Sequence, residues 1–346
     1  MADRVSWTAR VERAWLERSW LSALLLPLAG LYFLLTTLRR WCFDRGWLHA
    51  IHLGVPTIVV GNVIAGGAGK TPAVLAIVET LRRRGFTPGI VSRGYGRTDN
   101  AVLEVQATTP AAQSGDEPLL LHLRSRAPVV VGRDRVAAGQ WLRQRHPRVD
   151  VIVTDDGLQH RRLARDLQVI VFDERGIGNG RLLPAGPLRE PLSALVPPRS
   201  LVLYNATAPS TSWPGSLARR QLAGCIPLAA WWRGAPPEMT ALHALRGRPV
   251  LAAAGLARPG RFFAMLRALG LVIDTLALRD HHDFATLPWP PGTPDVIVTE
   301  KDAVKIDPAR VGTTRVWVAA LDFALDAPFE EALLAGLAGT SAFSPE

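Results

Sequence analysis

Of the forty basic residues in the chain, only Lys70, Lys301 and Lys305 are lysines. Arginine is the default cation here, so a compact ammonium at these three positions asks for a chemical reason. Lys70 ends the segment VPTIVVGNVIAGGAGKTP, an apolar run followed by Gly61, Gly66, Gly67 and Gly69. VPTIVV (55–60) has the pattern of a buried strand. Thr71–Arg84 has helical spacing, with Val74, Ile77, Val78 and Leu81 on one face. Strand, glycine-rich turn, Lys-Thr and helix together suit a phosphate. Glycines let backbone N–H groups approach it, the helix N-terminus adds positive potential, the lysine reaches the β/γ-phosphates and the threonine hydroxyl ligates Mg²⁺. The strict spacing G-x-x-x-x-G-K-[ST] is not met, because Ile64 stands where its first glycine belongs. The candidate nucleotide-binding residues are Ile64, Ala65, Gly66, Gly67, Ala68, Gly69, Lys70 and Thr71. The plain alternative is a glycine-rich turn with no ligand.

Three further clusters carry chemistry. DVIVTDDGLQH sets Asp155 and Asp156 at the end of an apolar strand, where a P-loop protein holds Mg²⁺ and its water. Adjacent side chains at a strand end diverge, so one of the two is expected to face the metal directly. DDG is also good turn chemistry. In SGDEP, Ser114 and Glu117 fit an S-x-x-E capping box, with Asp116 in the first helical turn. The same segment allows Asp116 to act as a base on an acceptor hydroxyl. ALRDHHDF groups Asp280, His281, His282 and Asp283. Sequential neighbours rarely converge on a metal, so an Asp/His pair that orients or shares a proton is the more economical chemistry; a polar surface loop is the alternative. In VTEKDAVK, Thr299 fits an N-cap, and Lys301 and Lys305 fall one turn apart on one helix face.

These residues need a frame. From residue 55 onward, short β-rich runs alternate with helical stretches: PGIVSR, APVVVG (127–132), DVIVTDD (150–156), LQVIVFD (167–173) and SLVLYN (200–205), with helices at Asp116–Arg126 and Arg133–Arg145. The alternation predicts an α/β fold with a mostly parallel sheet and helices on both faces. NATAPSTSWPGS (205–216) marks a boundary. After it comes a shorter series: IPLAAWWR, PVLAAAG (249–255), a helix around Arg261–Leu269, LVIDTLAL, PDVIVTE (294–300) and TRVWVAA. The expected organisation is an N-terminal helical segment over 1–46, a P-loop ATP-binding α/β domain over 47–215 and a smaller α/β domain over 216–346.

Between Arg18 and Arg39 lie twenty uncharged residues. At about 1.5 Å per residue, a helix of this length matches a hydrocarbon core of roughly 30 Å. Trp7, Trp15, Trp20, Trp41 and Trp47 flank it in the manner of interfacial anchors. Pro27 and Gly30 fall inside the run, so a kinked or partly inserted helix is equally compatible, and a buried core helix is the plain alternative. Membrane attachment is expected, with spanning and surface-lying both open. No small-residue cleavage site follows, which argues against a signal peptide.

Composition closes off several classes. At 346 residues, 48% hydrophobic and 20% charged, the chain is globular rather than disordered. Two cysteines, Cys42 and Cys225, make neither a disulfide framework nor a zinc motif. The net charge of +10 calls for an anionic partner. Nucleic acid is disfavoured, because the arginines are dispersed and no aromatic-basic module is present. No obligate protein partner is evident.

The segments VGNVIAGGAGKTP, VSRGYGR, SGDEP, VGRDR, VTDDGLQHRRLARD, GNGRLLPAGPLREP, AAAGLARPGRFF, DHH and VTEKDAVK occur in this order over about residues 20–306. Together they resemble the tetraacyldisaccharide 4′-kinases of lipid A biosynthesis. The resemblance implies transfer of the γ-phosphate of ATP, with Mg²⁺, to the 4′-hydroxyl of a tetraacylated disaccharide 1-phosphate at the cytoplasmic face of the inner membrane, making lipid IVA. It implies phosphate and Mg²⁺ roles for Lys70 and Thr71, and Walker B roles for Asp155 and Asp156. It makes Asp116 the catalytic acid–base group, partnered by the histidine beside Asp280, His281. It places Tyr95, Arg133, Arg189 and Glu190 near substrate or nucleotide. One departure is Ala257, which stands where the family commonly has glycine. The competing class is a membrane-tethered P-loop ATPase switch that phosphorylates no metabolite.

Overall fold

The computed structural model describes residues 7–339. The chain forms two compact units that interleave in sequence. One gathers the described residues of 1–74 with 148–218 and 325–339; the other gathers 75–147 and 219–324. One change of unit falls at Ala218/Arg219. The expected serial order does not hold, because residues 75–147 belong with 219–324. Compactness follows contacts in space, and a strand-to-helix crossover can carry the chain into another unit and back.

The first unit is built on a parallel sheet of order β5-β1-β6-β7-β8, made of β1 (Thr57–Gly61), β5 (Val151–Asp155), β6 (Leu167–Asp173), β7 (Ser200–Asn205) and β8 (Ser216–Leu217). β1 and β5 are buried along their whole length, as the unbroken apolar runs predict for strands covered on both faces. Val59, Ile64, Phe172, Tyr204 and Trp213 share one core cluster, in which Phe172 packs on Tyr204 and meets Trp213 edge-on. Helix α4 (Lys70–Arg83) starts from the loop after β1, and its predicted face of Val74, Ile77, Val78 and Leu81 is buried. β1 lies between β5 and β6, and its carboxyl end is at the edge of the sheet where ligands bind in open α/β folds. Helix α12 (Ala327–Ala338) returns to pack on β7.

The apolar N-terminal run is not one helix. It is split into α2 (Trp20–Leu24) and α3 (Leu26–Asp44), after α1 (Trp7–Leu16). Ser19 caps α2 by accepting the N–H of Ser22, and Pro27 sits in the first turn of α3, where a missing N–H costs nothing. Pro27 therefore starts a helix instead of kinking one. Among the described residues no helix is long and apolar enough to cross a membrane.

The second unit holds two sets of strands. β3 (Leu103–Glu104), β4 (Val129–Val131) and β2 (Pro88–Ser92) run in that spatial order, accompanied by α5 (Ala111–Ser114), α6 (Asp116–Ser125) and α7 (Arg135–Arg145). A second sheet has the order β11-β10-β12-β13-β9, from β9 (Arg219–Pro227), β10 (Val250–Ala254), β11 (Ile273–Ala277), β12 (Asp295–Thr299) and β13 (Arg315–Ala324). Only β9 is antiparallel in it, against β13. The segment IPLAAWWR is the end of β9 running into α8 (Leu228–Trp232). Helices α9 (Met239–His243), α10 (Pro259–Ala268) and α11 (Glu300–Ala303) complete the unit. Thr299 caps α11 as its sequence predicts, but α11 is one turn long. Lys305 therefore lies beyond its end, with its N–H on the carbonyl of Asp302.

Candidate active-site constellations

In the first unit, the glycine-rich loop is tied down from behind. Asn62, fully buried, donates to the carbonyl of Gly66. Arg175, locked by two 3.0 Å contacts to Asp173, donates to the carbonyls of Ala65 and Gly67. Asn205 donates to the carbonyl of Ala68. Four successive carbonyls are thus committed to the protein's own side chains. Gly69 has φ +86°, and a Cβ there would fall 2.1 Å from the Asn205 amide nitrogen. Only glycine fits that approach. The loop opens into α4, so its N–H groups and the helix N-terminus suit a polyphosphate.

Lys70 stands at the first position of α4 with little exposure. Its Nζ is 3.3 Å from Asn62 Oδ1 and 3.6 Å from Asp156 Oδ1. Asp155 ends β5 and is buried, whereas Asp156 steps out in the left-handed region at φ +53°. Gly157 donates to the carbonyl of Val60, which fastens this turn to β1. Asp156 meets Lys70.

Arg189 and Glu190 arrive by a route no spacing announces. The segment 187–189 lies against 63–65: Ala65 N–H donates to Pro187 and Arg189 N–H to Val63. That pairing carries Arg189 Nη1 to 3.2 Å from Asp156 and 3.1 Å from Gln159 Oε1. Gln159 in turn donates to Glu190 and to the carbonyl of Asn62. Asn62, Gln159, Asp173, Arg175 and Asn205 were all missed at the level of sequence. Asp173 and Asn205 end β6 and β7, so a search of strand termini was the available signal.

In the second unit, Asp116 begins α6. The expected capping box is absent. Gly115 occupies the cap at φ +88°, and the Ser114 hydroxyl donates to nearby carbonyls instead. Asp116 Oδ1 accepts the N–H of Glu117 at 2.9 Å, and Oδ2 faces His281 Nδ1 at 2.8 Å. The histidine cluster therefore acts through one member. His281 sits at φ +58° beside Asp280, which accepts its N–H. His282 turns elsewhere, against Phe284. Lys301 Nζ lies 3.2 Å from both Glu117 and Asp280 and 3.4 Å from His281 Nε2. The Tyr95 ring, 65% exposed, stands 5.5 Å from that of His281. Arg133 is exposed at the end of β4. Asp116 and His281, expected in different domains, belong to the same unit, so their contact needs no domain closure.

The electrostatics of this pair are mutual. Burial alone raises the Asp116 pKa, but the hydrogen bond from His281 and the charges of Lys301, His281 and Lys305 outweigh it and hold the carboxyl below its ordinary value. His281 is raised, chiefly by its hydrogen bond to Asp116, with burial and Lys301 opposing. Lys301 is raised too, the carboxylates of Glu117, Asp116 and Asp280 overcoming its burial. An ionised Asp116 accepts from Nδ1–H, which leaves Nε2, 3.4 Å from Lys301 Nζ, as the imidazole's basic atom when the ring is neutral.

The family profile described as tetraacyldisaccharide-1-P 4′-kinase (LpxK) matches residues 21–338. A tetraacyldisaccharide 4′-kinase of Methylibium petroleiphilum is 55% identical over 338 residues, covering 96% of this chain and 94% of that protein. One from Leptothrix cholodnii is 55% identical over 340 residues, 97% of each. The chain belongs to this family. A crystal structure of LpxK from Aquifex aeolicus in complex with ATP is similar at a TM-score of 0.75 and 27% identity, covering 92% of this chain and 99% of that one. As an LpxK-family member the chain is an ATP-dependent kinase of lipid A biosynthesis. Its departure at Ala257 lies exposed in the bend between β10 and α10.

Proposed function

We propose that the chain transfers the γ-phosphate of ATP to the 4′-hydroxyl of a tetraacylated disaccharide 1-phosphate, with the loop of the first unit holding the nucleotide and Asp116–His281 receiving the proton. The observation that carries this reading is the 2.8 Å contact between an ionised carboxylate and an imidazole. An ATPase switch without an acceptor alcohol has no use for it.

In the transfer, the acceptor oxygen bonds to the γ-phosphorus and the bond from that phosphorus to the β–γ bridging oxygen breaks, releasing ADP. The hydroxyl proton passes to the Asp116 carboxylate, which His281 orients through its Nδ1–H. Phosphoryl transfer asks mainly for positioning and charge neutralisation, so a carboxylate of lowered basicity suffices where the proton leaves late. Lys70, held by Asn62 and Asp156, supplies fixed positive charge to the phosphates. Arg189, on the other side of Asp156, is placed to add a second cation.

Thr71, Asp155 and Asp156 are the residues that would hold Mg²⁺. Among the described residues no three His, Cys, Asp or Glu side chains group as a metal cage. Mg²⁺ is commonly held by one or two carboxylates with waters and phosphate oxygens. When bound, the ion would neutralise charge on the phosphates.

The acceptor is a lipid, and removing acyl chains from a bilayer costs about 0.8 kcal/mol per CH₂. The enzyme should therefore work at the inner membrane's cytoplasmic face. In support, Leu28, Leu31, Leu35 and Leu38 recur at helical spacing along α3 and are all more than half exposed, while Ala29 is buried and Tyr32 donates to the carbonyl of Arg189. An apolar stripe facing outward on a helix fastened to the site suits a surface-lying anchor. A cavity of about 760 Å³, lined by Arg40, Phe43, Leu48, Arg161, Glu190 and Val196 among others, offers apolar walls and cations to a phosphorylated glycolipid.

The deciding assay measures ADP release by purified enzyme with and without added tetraacyldisaccharide 1-phosphate. Strict dependence on the acceptor supports the kinase reading. Equal ATP consumption in its absence supports the switch.

A further inference from the structure

Lys301 and Lys305 have different surroundings. Lys301 addresses Glu117, Asp280 and the far nitrogen of His281. Lys305 lies 3.8 Å from Asp116 Oδ2, and both side chains are only 7% exposed. On its other side Lys305 is 3.4 Å from Asp302 Oδ1, and the Phe284 ring stands 5.3 Å from its ammonium. Asp302 is fully buried and immobilised: it accepts the N–H of Gly255 and the hydroxyl of Thr299, the residue that caps α11.

We propose that Lys305, fixed by Asp302, is a positioning residue that keeps the Asp116 carboxylate ionised and turned toward His281. The inference rests on the reading of Asp116 as the group that takes the acceptor's proton.

Lys301 and Lys305 both hold the Asp116 carboxyl down, and Lys305 is the one whose ammonium lies within 4 Å of its Oδ2. α6 itself brings Glu117 and Arg124. The segment after β11 brings Asp280 and His281. The α11 region brings Glu300, Lys301, Asp302 and Lys305. Arg124 is spent on Glu300, which also accepts from Trp231 and from the N–H of Leu321. Lys301 is shared between Glu117 and Asp280. Two buried carboxylates, Asp116 and Asp302, then share Lys305 as their fixed cation. A carboxyl in so buried a place tends to take up a proton, and an opposite charge within about 4–6 Å opposes that. A protonated Asp116 cannot take up a hydroxyl's proton. The compact ammonium suits the gap between two carboxylates and a ring better than a planar guanidinium, which accounts for a lysine in so arginine-rich a chain.

The test is the pH profile of kcat/KM for the full-length enzyme in lipid-containing mixed micelles, with ATP and tetraacyldisaccharide 1-phosphate. Lys305→Gln should lower kcat about tenfold or more at neutral pH, the lower end of what acid–base assistance supplies, and leave KM for ATP unchanged. Its acid limb should move up by about one pH unit, the low end of a nearby-charge effect. Lys305→Arg, which restores the charge, should return the limb towards its wild-type position. If glutamine prevents folding, Lys305→Met keeps the stem against Phe284 and carries the same expectation. Asp116→Asn is run beside them and should erase the limb. A limb that stays put in Lys305→Gln while Asp116→Asn erases it overturns the role of Lys305 and leaves the base intact. A limb that survives in Asp116→Asn removes the base reading and this inference with it. A variant that merely melts earlier, with an unchanged profile, shows a structural lysine and also overturns the proposal.

Discussion

His281 Nδ1 meets Asp116 Oδ2 at 2.8 Å across 165 residues of chain, inside one compact unit. The carboxylate is lowered and the imidazole raised, each largely by the other. The pair behaves as a single proton-handling device whose parts are expected to fail together.

Asp116→Ala and His281→Ala should each lower kcat by about 10²–10⁴-fold, the range of acid–base assistance, with little change in KM for ATP. The double variant should lose scarcely more than the worse single one, as for residues that act as a unit. Steady-state kinetics of the three variants measure this. Fully additive losses would assign the two residues separate roles.

The same shifts fix a pH window for stability. Asp116 is lowered, so its contribution is present above its unfolded pKa of about 4 and is lost as pH falls through the lower folded value. His281 is raised, so its contribution is full below about 6.5 and is lost as pH rises through the higher folded value. The difference in Tm between wild type and His281→Ala should therefore be largest between about pH 4 and 6.5 and shrink in alkali. A difference independent of pH would count against the pairing.

Lys70→Ala should reduce turnover by about 10³-fold or more, since it removes charge from the transferring group, and should leave the circular dichroism spectrum unchanged. The loop it leaves behind is still held by Asn62, Arg175 and Asn205. Near-normal turnover in a folded variant would sink the nucleotide assignment.

Gly69→Ala should be nearly as damaging to ATP binding as losing the lysine. Its methyl lands on Asn205, and its φ of +86° disfavours any side chain. Equilibrium binding of ATP reports the effect; Gly67→Ala, with open space at its Cβ, is the milder control.

Leu31→Glu with Leu35→Glu on the outer face of α3 should move the enzyme from membrane to soluble fractions and weaken use of a dispersed lipid acceptor. Both leucines are more than half exposed, so folding should not suffer. Unchanged sedimentation with membranes would place the anchor elsewhere.

Local pattern determined a good deal of this protein. Strands at LQVIVFD and SLVLYN fall on the expected residues, because runs of β-branched and large apolar side chains suit sheet interiors and little else. The loop before Lys70 was legible because a glycine-rich turn between strand and helix is a local arrangement. Ordered motifs sufficed to name the family. Tertiary structure decided what is non-local. No spacing shows that residues 75–147 fold with 219–324, and that membership places Asp116 and His281 in one unit. Nor does any pattern reveal that Arg175 and Asn205 tie the loop's carbonyls, since each is brought in by the end of a neighbouring strand. The N-terminal run is uncharged over twenty residues, yet a break at Leu25, with Pro27 in the first turn of the next helix, divides it into helices of 5 and 19 residues. Composition measures how much apolar surface a segment carries. Only the packed chain shows which groups Lys305 and Asp302 meet, because charges interact across a few ångströms of space however far apart they lie in sequence.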